Sequence, residues 1–164
     1  MSATTKQTEQ LMAHIEPILG LRAWGASLGI GSFITFEFGP PRVPEWLRPS
    51  GDYQVWIYWS AWRLETEQSV VVACEDPREI RHREISRIDT RVLTDVGISF
   101  PGLDTVFEFG PDLRLRVFPN TSCEEFGWGL RMPGGHLAVG PGSSWSYDSK
   151  RHASLRILTG GGGE

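Results

Sequence analysis

The sequence predicts an α+β fold in which a unit of one helix and four mainly antiparallel strands occurs twice within a single domain. The pentapeptide Phe-Glu-Phe-Gly-Pro occurs twice, at 36–40 and at 107–111. Other apolar residues recur in the same order around both copies, and the pentapeptides end segments that alternate apolar and polar residues as strands do. We therefore expect two pseudo-symmetric units, at about 5–75 and 76–142, whose sheets form either a sandwich or a barrel.

The residues that flank the pentapeptides support this repeat. They precede and follow the two copies in the same order, so coincidence is less plausible for the set than for any one pair. The equivalent pairs are Ile15 and Ile85, Ile18 and Ile88, Trp62 and Trp128, and the segments 70–73 and 136–139.

Length and composition indicate an ordinary globular protein. A chain of 164 residues normally forms one domain, buries about 70% of its unfolded surface and needs no disulfide or metal to be stable. Seven Trp and eight Phe predict a core rich in aromatic contacts. Cys74 and Cys123 fit free thiols in a reducing compartment. The polar start and the absence of a long apolar stretch predict a cytoplasmic protein that does not enter a membrane.

The first unit begins with a helix predicted over 5–18, where apolar residues recur at helical spacing and Pro17 ends or kinks the helix. Its candidate strands are 21–28, 33–38, 53–64 and 69–73. The third of these, Tyr53–Leu64, is the longest apolar run and carries large apolar groups on both faces. It predicts a central strand that is covered on both sides, or one whose second face binds a partner.

The second unit opens with Asp76-Pro77-Arg78-Glu79, a helix start with Asp76 as the N-cap and Pro at the first position. The helix is expected to run from Pro77 to about Ser86 or Asp89. Strands are predicted at 92–99, 105–109, 113–118, 127–132 and 136–139. A C-terminal extension at 143–159 follows, in which Trp145 and Tyr147 pack back onto the sheet and 155–158 adds a short strand. Residues 160–164 are expected to form a flexible tail.

Glu37 and Glu108 attract attention because the repeat singles them out. One hypothesis brings them together as a carboxylate pair that lines a pocket between the units, with Tyr58 beside them. The alternative, which periodicity alone favours, is a solvent-facing Glu paired with an Arg on a neighbouring strand.

Aromatic residues without a counterpart in the other unit are the candidates for partner binding. Trp46 with Leu47 and Arg48 lies in a proline-rich loop, and Trp56 and Tyr58 share one face of a predicted strand. Exposed aromatic and Arg side chains often dominate binding energy at interfaces. Trp62 and Trp128 occupy equivalent places in the repeat and are therefore expected to belong to the core.

The sequence predicts no catalytic residue, no metal site and no cofactor. The four histidines show no metal-ligand spacing with each other or with the cysteines. No Gly-x-Ser-x-Gly elbow occurs. The net charge of −4 disfavours nucleic acid as a partner, and the basic set Arg81, Arg83, Arg87 and Arg91 is interleaved with acidic residues. The balance is against an enzyme, without deciding the point.

One stretch is similar to a known kind of protein. Residues 24–39 follow the pattern W-G-x3-G-x-G-S-F-x-T-x-E-F-G, and with Trp56-Ile57 and 61–65 they resemble small uncharacterised proteins common in bacteria with GC-rich genomes. Proteins of that general kind often act as immunity partners in contact-dependent toxin systems. The resemblance implies a non-enzymatic protein that neutralises a cognate toxin by protein–protein contact. The alternative is a small-molecule-binding domain or enzyme with a pocket between the repeats.

Overall fold

The computed structural model describes residues 3–43 and 48–149. These ranges contain two α-helices, Ala3–Ile15 (α1) and Arg78–Ile85 (α2), each followed by a single turn of 3₁₀ helix. They also contain eleven strands: β1 (Trp24–Leu28), β2 (Ile34–Phe38), β3 (Tyr53–Ile57), β4 (Ser60–Glu65), β5 (Val70–Ala73), β6 (Leu93–Ser99), β7 (Asp104–Phe109), β8 (Leu113–Pro119), β9 (Trp128–Met132), β10 (Gly135–Val139) and β11 (Trp145–Ser149).

The strands form two antiparallel sheets that do not close into a barrel, which confirms the α+β class. Sheet 1 has the order β1-β2-β3-β9-β10-β11, and sheet 2 has the order β5-β4-β8-β7-β6. Their inner faces meet through aromatic side chains, because the ring of Phe36 in sheet 1 lies 6.0 Å from Phe107 and 5.7 Å from Phe109 in sheet 2. The architecture is therefore a sandwich of two sheets.

Both predicted helices are present at the predicted places. Helix α1 ends at Ile15, and Pro17 lies in the 3₁₀ turn that follows it. The expected Asp76 cap is wrong: its carboxylate accepts the N–H of Ala73 at 2.8 Å and so closes the turn after β5 instead of capping α2. Helix α2 packs against β1 and β5. Among the described residues, neither helix has the length and apolar character that a membrane crossing requires.

The predicted single strand Tyr53–Leu64 is wrong, because this segment forms two strands in different sheets. Val55 and Ile57 are buried in β3, whereas Trp62 and Leu64 are buried in β4, so the buried parity changes from odd to even numbers. The change falls at the corner Tyr58–Trp59, where the chain passes from sheet 1 to sheet 2. The apolar residues that give this segment two apolar faces thus belong to two strands, whose buried residues have opposite parity.

The two halves of the chain exchange strands between the sheets. The first half gives β1–β3 to sheet 1 and β4–β5 to sheet 2, while the second half gives β6–β8 to sheet 2 and β9–β11 to sheet 1. Each half has the same succession of helix, 3₁₀ turn and antiparallel strands, with five strands before α2 and six after it. The number of strands therefore exceeds the expected four in each half.

The halves meet at an antiparallel bridge between Arg22 and Val92. Two residues earlier in each half, Gly20 and Thr90 both have a positive φ, at 84° and 70°. Each of these residues donates its backbone N–H to a carbonyl of the other half, at 2.8 Å and 2.7 Å. The bridge and its flanking turns thus relate equivalent positions in the two halves.

The core lies between the sheets and contains both repeated tryptophans. Trp62 and Trp128 have 1% and 0% of their surface exposed, as expected for core residues. The Trp62 indole donates to the carbonyl of Ser32 at 2.6 Å, and the Trp128 indole donates to the hydroxyl of Thr105 at 2.9 Å. Each indole N–H is therefore satisfied inside the core by a residue from the opposite sheet or from the loop that enters it.

Candidate functional site

The structure does not bring Glu37 and Glu108 together. Glu37 lies on β2 between Phe36 and Phe38, which face the core, so its side chain points away from sheet 2. Glu108 is placed in the same way on β7 and points away from sheet 1. The two carboxylates lie on opposite outer faces of the sandwich, and the expected pocket between them does not form.

The environments of these two carboxylates differ. Glu37 is 5% exposed. It accepts the N–H of Gly51 at 3.0 Å and the side-chain amide of Gln54, and it pairs with Arg131 at 3.6 Å. Glu108 is partly exposed and pairs with Arg114 on the neighbouring strand at 3.4 Å. Glu37 therefore closes the loop before β3, whereas Glu108 makes the surface pair that the alternative interpretation expects.

The outer faces of the two sheets carry different chemistry at equivalent places. Gln54 lies opposite Glu37 in sheet 1, as Arg114 lies opposite Glu108 in sheet 2. Two residues further along, sheet 1 has Trp56 where sheet 2 has Arg116. Sheet 2 thus presents a charged side chain at the position where sheet 1 presents the indole ring of Trp56, and this difference places the candidate site on sheet 1.

The site is built where the chain crosses between the sheets. The corner Tyr58–Trp59 is held by backbone bonds from Tyr58 N–H to Gly127 and from Asn120 N–H to the carbonyl of Trp59, both 2.9 Å long. The Ser60 hydroxyl also donates to Gly127, at 2.8 Å. The first crossover between the sheets, at Tyr58–Trp59, is therefore hydrogen-bonded to the second crossover, which is the segment between β8 and β9.

Aromatic side chains from these crossovers and from the end of the β1–β2 loop surround a cavity of about 330 Å³. We call it the aromatic cavity. Its lining residues are Phe33, Trp56, Tyr58, Trp59, Phe126 and Glu125. The rings contact each other edge to face, with Phe33 4.6 Å from Tyr58, Trp56 5.5 Å from Tyr58 and Tyr58 5.5 Å from Phe126.

Part of this aromatic surface is open to solvent. Trp59 is 48% exposed, and Ile30, which lines a second cavity on the same corner, is 88% exposed. The second cavity shares Phe33, Tyr58 and Trp59 with the first. Apolar surface therefore continues from the aromatic cavity to the tip of the β1–β2 loop, as is typical of interaction sites.

His136 packs behind the aromatic cavity, with its ring 6.4 Å from Trp56 and 5.7 Å from Phe126. Glycine at 129 makes room for it, because a Cβ there would lie 2.8 Å from the imidazole Nε2. Burial lowers the pKa of His136 most, the charge of Asp148 opposes this, and Arg131 lowers the pKa further. The imidazole is therefore predominantly neutral near pH 7.

Two polar groups in the wall of the aromatic cavity are affected by burial, the Tyr58 phenol and the Trp56 indole N–H. Burial raises the pKa of the Tyr58 phenol above its ordinary value of 10.0. The indole N–H of Trp56 is buried and, in the described part of the chain, has no hydrogen-bond partner. An unpartnered buried donor costs about 1–3 kcal/mol.

The predicted partner-binding residues are divided by the structure. Trp56 and Tyr58 line the aromatic cavity. Arg48 is exposed beyond β2, while Trp46 and Leu47 lie outside the described residues. The sequence interpretation missed Phe33, Trp59 and Phe126. The available signal was that none of the three has an aromatic counterpart in the other half of the chain.

The arginines weighed for nucleic-acid binding are engaged within the protein. Arg81 donates to the carbonyl of Gly31 at 2.8 Å, and Arg83 and Arg87 both pair with Glu84, at 2.9 Å and 2.6 Å. Arg91 pairs with Asp112 at 2.8 Å. These contacts fix α2 and its surroundings and reduce the net positive field at this surface.

Within residues 3–43 and 48–149, no group of three or more His, Cys, Asp or Glu side chains is arranged to hold a metal ion. Both cysteines are free thiols, Cys74 partly buried and Cys123 exposed. Searches against family models, curated proteins and solved structures found no match to this chain. The resemblance to immunity-type proteins therefore stays a prediction.

Proposed function

We propose that this chain is a non-enzymatic binding protein that contacts a protein partner through the aromatic cavity and the surface around it. The observation that carries the proposal is the half-exposed Trp59, held rigidly at a corner and surrounded by further aromatic rings. Tryptophan and tyrosine on rigid backbone bury much area at small entropic cost, and they dominate many interfaces.

The contrast between the sheets supports this choice of surface. The charged outer face of sheet 2 satisfies its own groups, for example through the pairs of Glu65 with Arg63 and Arg116. The corner of sheet 1 instead keeps large apolar groups at the surface, where they lower solubility unless a partner covers them.

A bacterial toxin is the partner class that fits best, with this chain as its immunity protein. This rests on the resemblance of residues 24–39 and on the mildly acidic charge of −4, which favours contact with a basic toxin surface. In this proposal the protein acts in the cytoplasm by covering the active site of the toxin. Arg48 lies beyond the opposite end of β2 and β3, so a contact there would be separate from the aromatic cavity.

We further propose that the chain arose by tandem duplication. The repeated pentapeptide, the shared succession of elements and the bridge from Arg22 to Val92 support it. The aromatic cavity then lies where the two copies have diverged. Divergence at one end of an otherwise repeated framework is expected where a new binding function arose.

The proposal is tested by affinity capture of partners from the source organism, read by mass spectrometry, with Trp59→Asp as the variant. We expect one stoichiometric partner that the variant loses, while the melting temperature changes by less than about 3 °C. Val70→Asp is the matched control, since Val70 is 57% exposed on sheet 2, and it should keep the partner. Trp46→Asp tests the proline-rich loop separately.

Two results would count against the proposal. A partner retained by Trp59→Asp would move the contact to another surface. Capture of no partner by the folded wild-type protein would remove the basis for a protein-binding role.

A further inference from the structure

We propose that the aromatic cavity binds an organic cation, and that its occupant is an arginine side chain of the protein partner. The inference rests on the proposed function and specifies what the partner must insert into the site. It is argued from the orientation of the rings, the charges of the lining and the neighbouring groups.

The rings that line this open cavity stand at steep angles to one another. Phe33, Trp56 and Phe126 each meet Tyr58 at a steep angle, with interplanar values of 73°, 67° and 84°. Trp59 adds a further wall, at 72° to Phe33. A cation surrounded by rings of several orientations can meet more than one ring face, and each face attracts it through the ring quadrupole.

The lining carries negative charge without positive charge. Of the six described residues that line the cavity, Glu125 is the carboxylate and none is Lys, Arg or His. Tyr58 contributes a neutral phenol at physiological pH, and burial raises its pKa further above the ordinary value of 10.0. A guanidinium at the cavity therefore meets aromatic faces, with the solvent-exposed Glu125 as a nearby counter-charge.

The groups behind the cavity do not oppose a cation. His136 contacts Trp56 and Phe126, and burial keeps its pKa low, so it adds little positive charge at neutral pH. Arg131, the next basic residue along this face, is paired with Glu37 and bonded to the carbonyl of Gly51 at 3.2 Å. Its charge is therefore partly compensated.

The size of the cavity favours a side chain over a larger ligand. A volume of about 330 Å³ lies at the lower end of the range for small-molecule sites. The opening beside Trp59 lies at the surface, so a side chain can enter while the backbone that carries it rests on the exposed corner.

The experiment is an NMR titration of the wild-type protein with an acetylated, amidated Gly-Arg-Gly peptide, and with the same peptide carrying citrulline. Citrulline keeps the shape of arginine but has a neutral urea group. We expect the arginine peptide to shift the indole signals of Trp56 and Trp59 with a Kd on the order of 1 mM. The citrulline peptide should bind at least about tenfold more weakly.

Variants locate the site. Glu125→Gln should weaken arginine-peptide binding about threefold to tenfold, and Trp59→Ala at least about tenfold, because they remove the counter-charge and one wall. Trp59→Phe keeps a ring and should retain most of the binding, which separates loss of the wall from loss of the fold. Glu124→Gln, a neighbouring exposed carboxylate, should have a much smaller effect than Glu125→Gln.

Every other result overturns the proposal. Equal binding of both peptides would make the cavity an apolar site without preference for charge, and no binding of either would remove it. Choline as a third probe separates the sources: choline binding without arginine-peptide binding would assign the site to a free small cation. Any of these results leaves the capture experiment with Trp59→Asp intact, so the two proposals can fail separately.

Discussion

At the scale of single residues, the environment and not the local sequence decides what the repeated glutamates do. Glu37 and Glu108 occupy the same place in the same pentapeptide, yet Glu37 is buried by the loop that contains Gly51 and Glu108 remains partly exposed. The difference arises because fourteen residues separate the strands after the first pentapeptide, whereas a tight turn joins them after the second.

We expect Glu37→Ala to lower the free energy of unfolding by about 2–4 kcal/mol, because it leaves the Gly51 N–H, the Gln54 amide and Arg131 without their acceptor. Glu108→Ala, the matched control in the repeat, should cost less than about 1 kcal/mol, as for an exposed ion pair. Urea denaturation of both variants measures the difference. Equal losses would show that the two carboxylates contribute alike.

The residues of the candidate site were only partly predictable for the same reason. The missing counterpart of Trp56 in the second half pointed to binding. That the Tyr58 ring meets Phe126, almost seventy residues away, depends on the neighbouring placement of two crossovers. Local periodicity carries no information about such a contact. Glu125 was missed because a carboxylate in a loop has no distinctive pattern.

At the scale of the elements, the pairing of β4 with β8 brings two like charges together. Arg63 and Arg116 lie directly opposite each other, which is unfavourable unless a counter-charge intervenes. Glu65 supplies it, since its carboxylate bonds to both arginines. Burial by itself raises the pKa of Glu65, but the hydrogen bonds and charges of Arg116 and Arg63 outweigh it and hold the pKa below its ordinary value of 4.5.

Glu65→Gln should therefore lower the free energy of unfolding by about 1 kcal/mol at pH 7. Since the pKa of Glu65 is lower in the folded than in the unfolded chain, its contribution is complete above about pH 4.5 and is lost as the pH falls further. The difference between wild type and variant should accordingly shrink between pH 5 and pH 3 in urea titrations. Glu67→Gln, in the exposed β4–β5 turn, is the control. A difference that stays constant down to pH 3 would contradict this role.

Strands were predictable where each has one buried face. The prediction failed where the chain passes from one sheet to the other. Alternation in Ile34–Phe38 and Leu113–Phe118 predicted β2 and β8 to within one residue. In Tyr53–Leu64 the strong apolar character of both parities concealed the corner, which contains neither glycine nor proline. The corner depends instead on hydrogen bonds to Gly127 and Asn120, which lie far away in the sequence.

At the scale of the whole molecule, neither half contains a complete sheet. Sheet 1 needs β9 and β10 from the second half beside β3, and sheet 2 needs β4 and β5 from the first half beside β8. The central pairings of both sheets therefore join the two halves. Each sheet thus draws strands from both sides of α2.

We expect residues 1–75 and 76–164 to lack a cooperative unfolding transition when each is expressed alone. Mixing them should restore the near-ultraviolet circular dichroism of the packed tryptophans, because the cut in the turn before α2 leaves every described element intact. Size-exclusion chromatography measures the recovered complex. A half that unfolds cooperatively as a monomer would show that the exchanged strands are dispensable.

The exchange of strands also sets the order of events while the chain is being made. Strand β3 ends at Ile57, but its neighbour β9 begins only at Trp128. At about 5–20 residues per second, a ribosome delivers that neighbour roughly 4–14 s later. Until then this edge of β3 has no strand to pair with in the nascent chain. Strand β4 likewise has no partner on one edge until β8 is made. Such unpaired edges are targets for chaperones and for a second nascent copy of the same chain.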